Sequence, residues 1–142
     1  MSIQIRPYVP EDYPMLASWW SAHKWEAVPE AILPGLGVVA YHREKAGETE
    51  AFPLCAAFLY MSNSNGVCWM EWLVSNPKAQ GMETIRAINA VVTFMEQEAK
   101  RLGYGVMLTA CRQESLGRIY QKIGFQVTDR NVTHMIKIIG GE

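Results

Sequence analysis

Val67-Cys68-Trp69-Met70-Glu71-Trp72-Leu73-Val74-Ser75-Asn76-Pro77-Lys78-Ala79-Gln80-Gly81-Met82-Glu83-Thr84-Ile85-Arg86 contains a change of hydrophobic period. Up to Val74 the stretch reads as a largely buried strand with Glu71 as its only charged residue. Pro77 stops it, because the pyrrolidine ring fixes φ and removes a donor. Beyond Pro77, Ile85, Ile88, Val91, Val92, Met95, Ala99 and Leu102 recur at spacings of three and four. That spacing predicts an amphipathic helix of about 20 residues, closed by Gly103. Tyr104 to Ala110 is then a short apolar strand. A long helix between two strands lets them lie parallel through a right-handed crossover.

Upstream, Leu36 to His42, Phe52 to Met61 and Val67 to Val74 read as three strands. The charged run Arg43 to Glu50 and the polar Ser62-Asn63-Ser64-Asn65-Gly66 are the exposed turns of an antiparallel meander. Ser2 to Val9 suits a first strand. Pro10-Glu11-Asp12 opens a helix with Leu16, Trp19, Trp20 and His23 along one side. Neighbours on a helix point about 100° apart, so one of Trp19 and Trp20 is expected to be exposed or at an interface. Residues 25–36, with Pro29, Pro34 and Gly35, form a loop with at most a short helical turn. Downstream, Glu114 to Ile123 is a helix stopped by Gly124, and Phe125 to Val127 with Val132 to Ile139 close the chain as a hairpin. The order β-α-(α)-β-β-β-α-β-α-β-β describes an α/β domain with a mixed central sheet, expected as one domain over residues 1–142.

Thirteen basic residues against fourteen acidic ones, a formal charge of -1, argue against a nucleic-acid module, which needs a surplus of Lys and Arg. No apolar run approaches the roughly 18 residues that cross a bilayer, and the N-terminus does not read as a signal peptide. Cys55, Cys68 and Cys111 are odd in number and widely spaced, which excludes a disulfide framework and a zinc cluster and suits a cytoplasmic location. Cys68 and Cys111 read as small buried hydrophobes. His23, His42 and His134 have no metal spacing and read as ordinary surface or core histidines.

Three segments carry a family resemblance. Ile5-Arg6-Pro7 followed by Pro10-Glu11-Asp12, Glu71-Trp72-Leu73-Val74-Ser75-Asn76-Pro77, and above all Ile119-Tyr120-Gln121-Lys122-Ile123-Gly124-Phe125 resemble the GNAT (Gcn5-related) N-acetyltransferase superfamily. The last is similar to the family's "LYEKLGF" stretch, and the element order matches over essentially the whole chain. The Trp-rich first helix and the Glu71–Pro77 segment also resemble small GNAT-like proteins of phage genomes.

The resemblance implies acetyl-CoA in a gap where the fourth and fifth strands splay. Pantetheine would pair with main chain near Leu73, Val74 and Ser75, and pyrophosphate would sit on N–H groups around Lys78, Gln80, Gly81, Met82 and Arg86. A helix N-terminus suits an anion because it offers unpaired donors and positive potential. Gln113 stands where many members carry an Asn that contacts the cofactor. Of the family's Q/R-x-x-G-x-G/A loop, Gln80 and Gly81 remain and the later glycines do not. Glu83 adds a negative charge there; at about 6 Å from a phosphate charge it would cost roughly 3 kcal/mol at an effective dielectric of about 20.

Glu71 is the expected base for the acceptor amine, with Trp69 and Trp72 burying it and raising its pKa. Tyr120 is the expected acid for the departing thiolate, its phenol being well matched to a thiol. Trp19, Trp20 and Trp25 are candidates for the acceptor pocket. The implied function is acetyl transfer from acetyl-CoA to a small-molecule or protein amine by direct attack. No metal is expected, and a homodimer could form through the apolar Val132 to Ile139. The alternative is a GNAT-fold binding or regulatory protein that has lost catalysis along with its loop glycines.

Overall fold

A computed structural model describes residues 2–43, 51–79 and 81–140. Gln80 and the charged connection over residues 44–50 lie outside them. The chain divides into two compact units, Met1–Cys111 and Arg112–Glu142.

The first unit is built on a mixed sheet in the order β1-β2-β3-β4-β5: β1 (Ser2–Pro7), β2 (Leu36–Arg43), β3 (Phe52–Met61), β4 (Val67–Ser75) and β5 (Val106–Thr109). The first four pair antiparallel and β5 joins β4 in parallel, as the interposed helix requires. Helix α1 (Tyr13–Ala22) follows a 3-10 turn at Pro10–Asp12. A second 3-10 turn at Glu30–Ile32 is the short helical element expected in that loop.

Side chains of a strand alternate between its two faces. Leu16, Trp19 and Trp20 of α1 bury themselves with Val39, Ala56, Phe58 and Val74, which fixes the α1 face of the sheet. His42, three residues from Val39 along β2, points the other way and meets helix α2 (Gly81–Arg101). That helix packs across β1, β2 and β3 and buries Ala87, Ile88, Val91, Val92, Met95 and Ala99, the expected stripe without its ends, since Ile85 and Leu102 are exposed. On the α1 face Phe58 lies over Gly37, where a Cβ would come within 2.5 Å of the ring, and stands edge-on to Tyr8. Arg6 forms a two-point ion pair with Asp12 at 2.7 and 2.8 Å, tying β1 to the turn before α1.

Two expectations need correction within this unit. Trp19 and Trp20 are both buried, at 5% and 2% exposure. The sheet covers one side of α1, and the returning segment with Val28, Ile32 and Leu33 joins the same cluster, so both rings are enclosed. Cys68 is buried as expected, but β5 ends at Thr109 and leaves Cys111 exposed.

The second unit contains α3 (Glu114–Ile123), ended as expected by Gly124 at φ 121. The closing hairpin does not form as strands: residues 125–140 carry none. Asn131 takes the left-handed conformation, φ 59, within a bend at residues 130–131. Met135 and Ile139 are exposed at 90% and 88%.

Candidate active site

The register of β3 against β4 places Glu71. Ala56 faces Val74 and Phe58 faces Glu71, so one residue of β3 is spanned by two of β4, Trp72 and Leu73. This is a β-bulge, with Trp72 at φ 61, a conformation rare for a non-glycine residue. It brings Glu71 and Val74, three apart in sequence, onto the same face, since their partners Phe58 and Ala56 both lie on the α1 side. In an unbroken strand Glu71 would face α2. Trp72 is held by its indole N–H, which donates to Tyr60 Oη at 2.7 Å, and the Tyr60 hydroxyl donates in turn to the Ile32 carbonyl. Burial pushes the Tyr60 phenol up, the Trp72 hydrogen bond works the other way, and the negative charge of Glu71 adds to the rise. Glu71 is half-buried, and Trp69 beside it is exposed at 41%, so only Trp72 has the sheltered place expected for both.

Beyond Glu71 the strand loses its other neighbour. β5 pairs only from Val67 to Met70, and Thr109 Oγ1 closes the pairing by donating to the Met70 carbonyl at 2.7 Å. From Glu71 to Ser75 no described strand lies on that side of β4. Asn76 donates its main-chain N–H to Leu54 of β3, so by alternation Ser75 turns its own main-chain groups away from β3, towards the opened side. Leu73 has the same parity, whereas Val74 addresses β3. The Ser75 carbonyl accepts a hydrogen bond from His23 Nε2 at 3.0 Å.

This half-buried edge leads towards the N-terminus of α2. Asn76 shapes the connection: its side-chain N–H donates to the Pro53 carbonyl at 2.8 Å, and its side-chain oxygen accepts from the Lys78 N–H at 3.0 Å. Sequence reasoning passed over Asn76, although Asn before Pro is a turn signal. Gly81 opens the helix with no atom within 4 Å of where a Cβ would stand, and Lys78, Met82 and Arg86 are exposed around it. The first N–H groups of a helix have no partners of their own and favour an anion. Glu83, in the same turn, has been drawn aside: its Oε2 lies 3.0 Å from His42 Nδ1, with the oxygen off the axis a hydrogen bond needs, and the imidazole is stacked on Phe52.

The structure thus joins Glu71, Leu73, Ser75 and Gly81 along one path from strand to helix. Trp25 is half-buried and stacked on His23 at 4.9 Å. Trp19 and Trp20 belong to the core. Gln113 and Tyr120 fall in the second unit, where Gln113 precedes α3 in extended conformation and Tyr120 is buried with its ring against Phe125. Among the described residues no cluster of three metal-ligating side chains occurs, and no helix is long and apolar enough to cross a membrane.

No protein-family model and no curated protein matches the sequence. Solved structures do share the fold. An acetyltransferase from Trypanosoma brucei superposes with a TM-score of 0.64 at 16% identity, covering 95% of this chain and 100% of its own. A GNAT-family acetyltransferase from Streptococcus pneumoniae gives 0.58 at 14%, over 99% and 98% of the two chains. N-acetylglutamate synthase from Neisseria gonorrhoeae, in complex with coenzyme A and N-acetyl-glutamate, gives 0.63 at 16%, matching 91% of this chain and 29% of the larger one.

Proposed function

This chain has the fold of the GNAT acetyltransferases, and from it we propose that the protein is a coenzyme A-dependent N-acyltransferase acting on a small-molecule or protein amine. The observation that carries the reading is the edge of β4 at Leu73 and Ser75, past the end of β5, along which no described strand runs and which leads to an open helix N-terminus at Gly81. A pantetheine arm needs main-chain partners and a pyrophosphate needs N–H donors, and the residues present offer both in the right order. Leu73 and Ser75 would hold the arm. The N–H groups of Gly81 and Met82 would hold the phosphates, with Lys78 and Arg86 as the nearby cations and Gln80 and Gln113 as further contacts.

Bound acetyl-CoA would supply the activated acetyl group. Glu71 takes a proton from the acceptor amine, whose nitrogen then forms the new bond to the acetyl carbon. By the family resemblance, Tyr120 would be the acid that returns a proton to the sulfur as the thioester C–S bond breaks. Main-chain N–H groups beside the bulge polarise the thioester carbonyl. Trp25 lines the acceptor side, where Tyr13, Trp72 and Leu33 pack around the α1 cluster. The second reading, a binding protein without catalysis, is favoured by the missing loop glycines and by the hydrogen bond already made to the Ser75 carbonyl.

Thermal unfolding with acetyl-CoA, coenzyme A and ADP separates the two. A ligand at about 100 times its Kd adds about 2.7 kcal/mol, a rise in Tm of about 9 °C for a chain of this length. The acyltransferase reading expects that rise with acetyl-CoA and coenzyme A. A flat response at millimolar ligand overturns it in favour of the second reading.

A further inference from the structure

We propose that His23 is a gate on the donor slot: it caps the Ser75 carbonyl on the edge of β4 past the end of β5 and must be displaced before an acyl-CoA arm can pair there. The proposal rests on the reading of that edge as the donor site.

Helix α1 ends in a tight turn, with the Lys24 N–H donating to the Ser21 carbonyl and the Trp25 N–H to the Trp20 carbonyl. Such a turn needs a residue in left-handed conformation, usually glycine; here it is Lys24, at φ 64. The result sets His23 and Trp25 side by side, ring planes 25° apart and centroids 4.9 Å apart. The stack fixes the imidazole so that Nε2 reaches the Ser75 carbonyl at 3.0 Å.

That carbonyl is one the sheet does not use. It points away from β3, and β5 has ended five residues earlier along β4, at Met70. A half-buried main-chain acceptor without a partner is costly, and a side chain from another element satisfies it. The contact is not what secures α1, because Leu16, Trp19 and Trp20 are buried in the core. His23 therefore performs at Ser75 what an amide N–H of a pantetheine arm would perform: one donor to one carbonyl. Binding exchanges one hydrogen bond for another, so coenzyme A loses the gain it would otherwise draw from Ser75. A ligand without the arm loses nothing.

Calorimetric titration of the wild-type chain and His23→Ala with coenzyme A and with adenosine 3′,5′-bisphosphate, which lacks the arm, tests this. His23→Ala is expected to bind coenzyme A about five-fold tighter, the weight of one neutral hydrogen bond, and the bisphosphate unchanged. Loss of a merely structural contact would weaken binding or leave it alone, and either result overturns the gate. Ring-nitrogen NMR of the wild-type chain serves as the second measurement, independent of how the variant folds. The His23 signals should move with coenzyme A and stay with the bisphosphate; signals unmoved by saturating coenzyme A also overturn it. Binding by His23→Ala alone would mean a fully closed gate. If neither chain binds coenzyme A, the donor reading itself falls, and the gate with it.

Discussion

At the scale of single residues, Glu71 shows how far a strand position can be re-aimed. Its place among apolar neighbours marks it as a candidate base, but the face it occupies is set by the bulge at Trp72 and Leu73. Nothing in Glu71-Trp72-Leu73-Val74 announces that bulge, since tryptophan is a poor choice for a positive φ. It persists because the Trp72 indole is locked onto Tyr60. If Glu71 removes the proton from the acceptor, Glu71→Gln should lower kcat by about 10²- to 10⁴-fold, the usual range for a positioned base, with the Kd for coenzyme A nearly unchanged. Steady-state kinetics beside a binding titration would show it, and undiminished turnover would remove Glu71 from the chemistry.

Among the elements, α2 was the most readable in sequence and its first turn the least. Its buried residues follow the period of three and four, which survives any tertiary context that offers one apolar face. Glu83 looked like an obstacle to phosphate because its partner, His42, is 41 positions away in the chain and invisible to local spacing. The carboxylate lies towards β2, 3.0 Å from His42 Nδ1. If coenzyme A places its phosphates at this helix end, His42→Ala should return the Glu83 charge to them and weaken binding about ten-fold at low salt, after screening is allowed for. His42→Ala combined with Glu83→Gln should restore affinity. Titration calorimetry on the two variants checks this, and a double variant as weak as the single one would contradict it.

For the whole molecule, the ion pair of Arg6 and Asp12 links the first strand to the turn that launches α1, and it makes folding sensitive to acid. Burial works against the charged carboxyl, but the Arg6 hydrogen bonds and the Val9 N–H outweigh it, so Asp12 titrates below its ordinary value. A carboxyl depressed in the folded state contributes stability above its unfolded pKa, about 3.9, and loses it as pH falls through the lower folded value. Urea unfolding from pH 7 to pH 3 should therefore show Asp12→Asn less stable than the native chain near neutrality. The difference should narrow below about pH 4. A gap independent of pH would mean that packing, not charge, carries the contribution.

Chain-local information determined the element order, the meander, the parallel return through α2 and the stop at Gly124, because periodicity, proline and glycine act within a few residues. An α/β fold with a mixed sheet was legible on that basis, together with the strand and helix that line the candidate donor slot, and the resemblance of Ile119–Phe125 to a family motif added the GNAT expectation. Tertiary structure decided the rest. The enclosure of both Trp19 and Trp20, the side of the sheet on which Glu71 stands, the diversion of Glu83 by His42 and the capping of Ser75 by His23 all depend on partners remote in sequence. Spacing along the chain carries no record of which distant side chains will meet, so these contacts exist only once the sheet has brought the elements together.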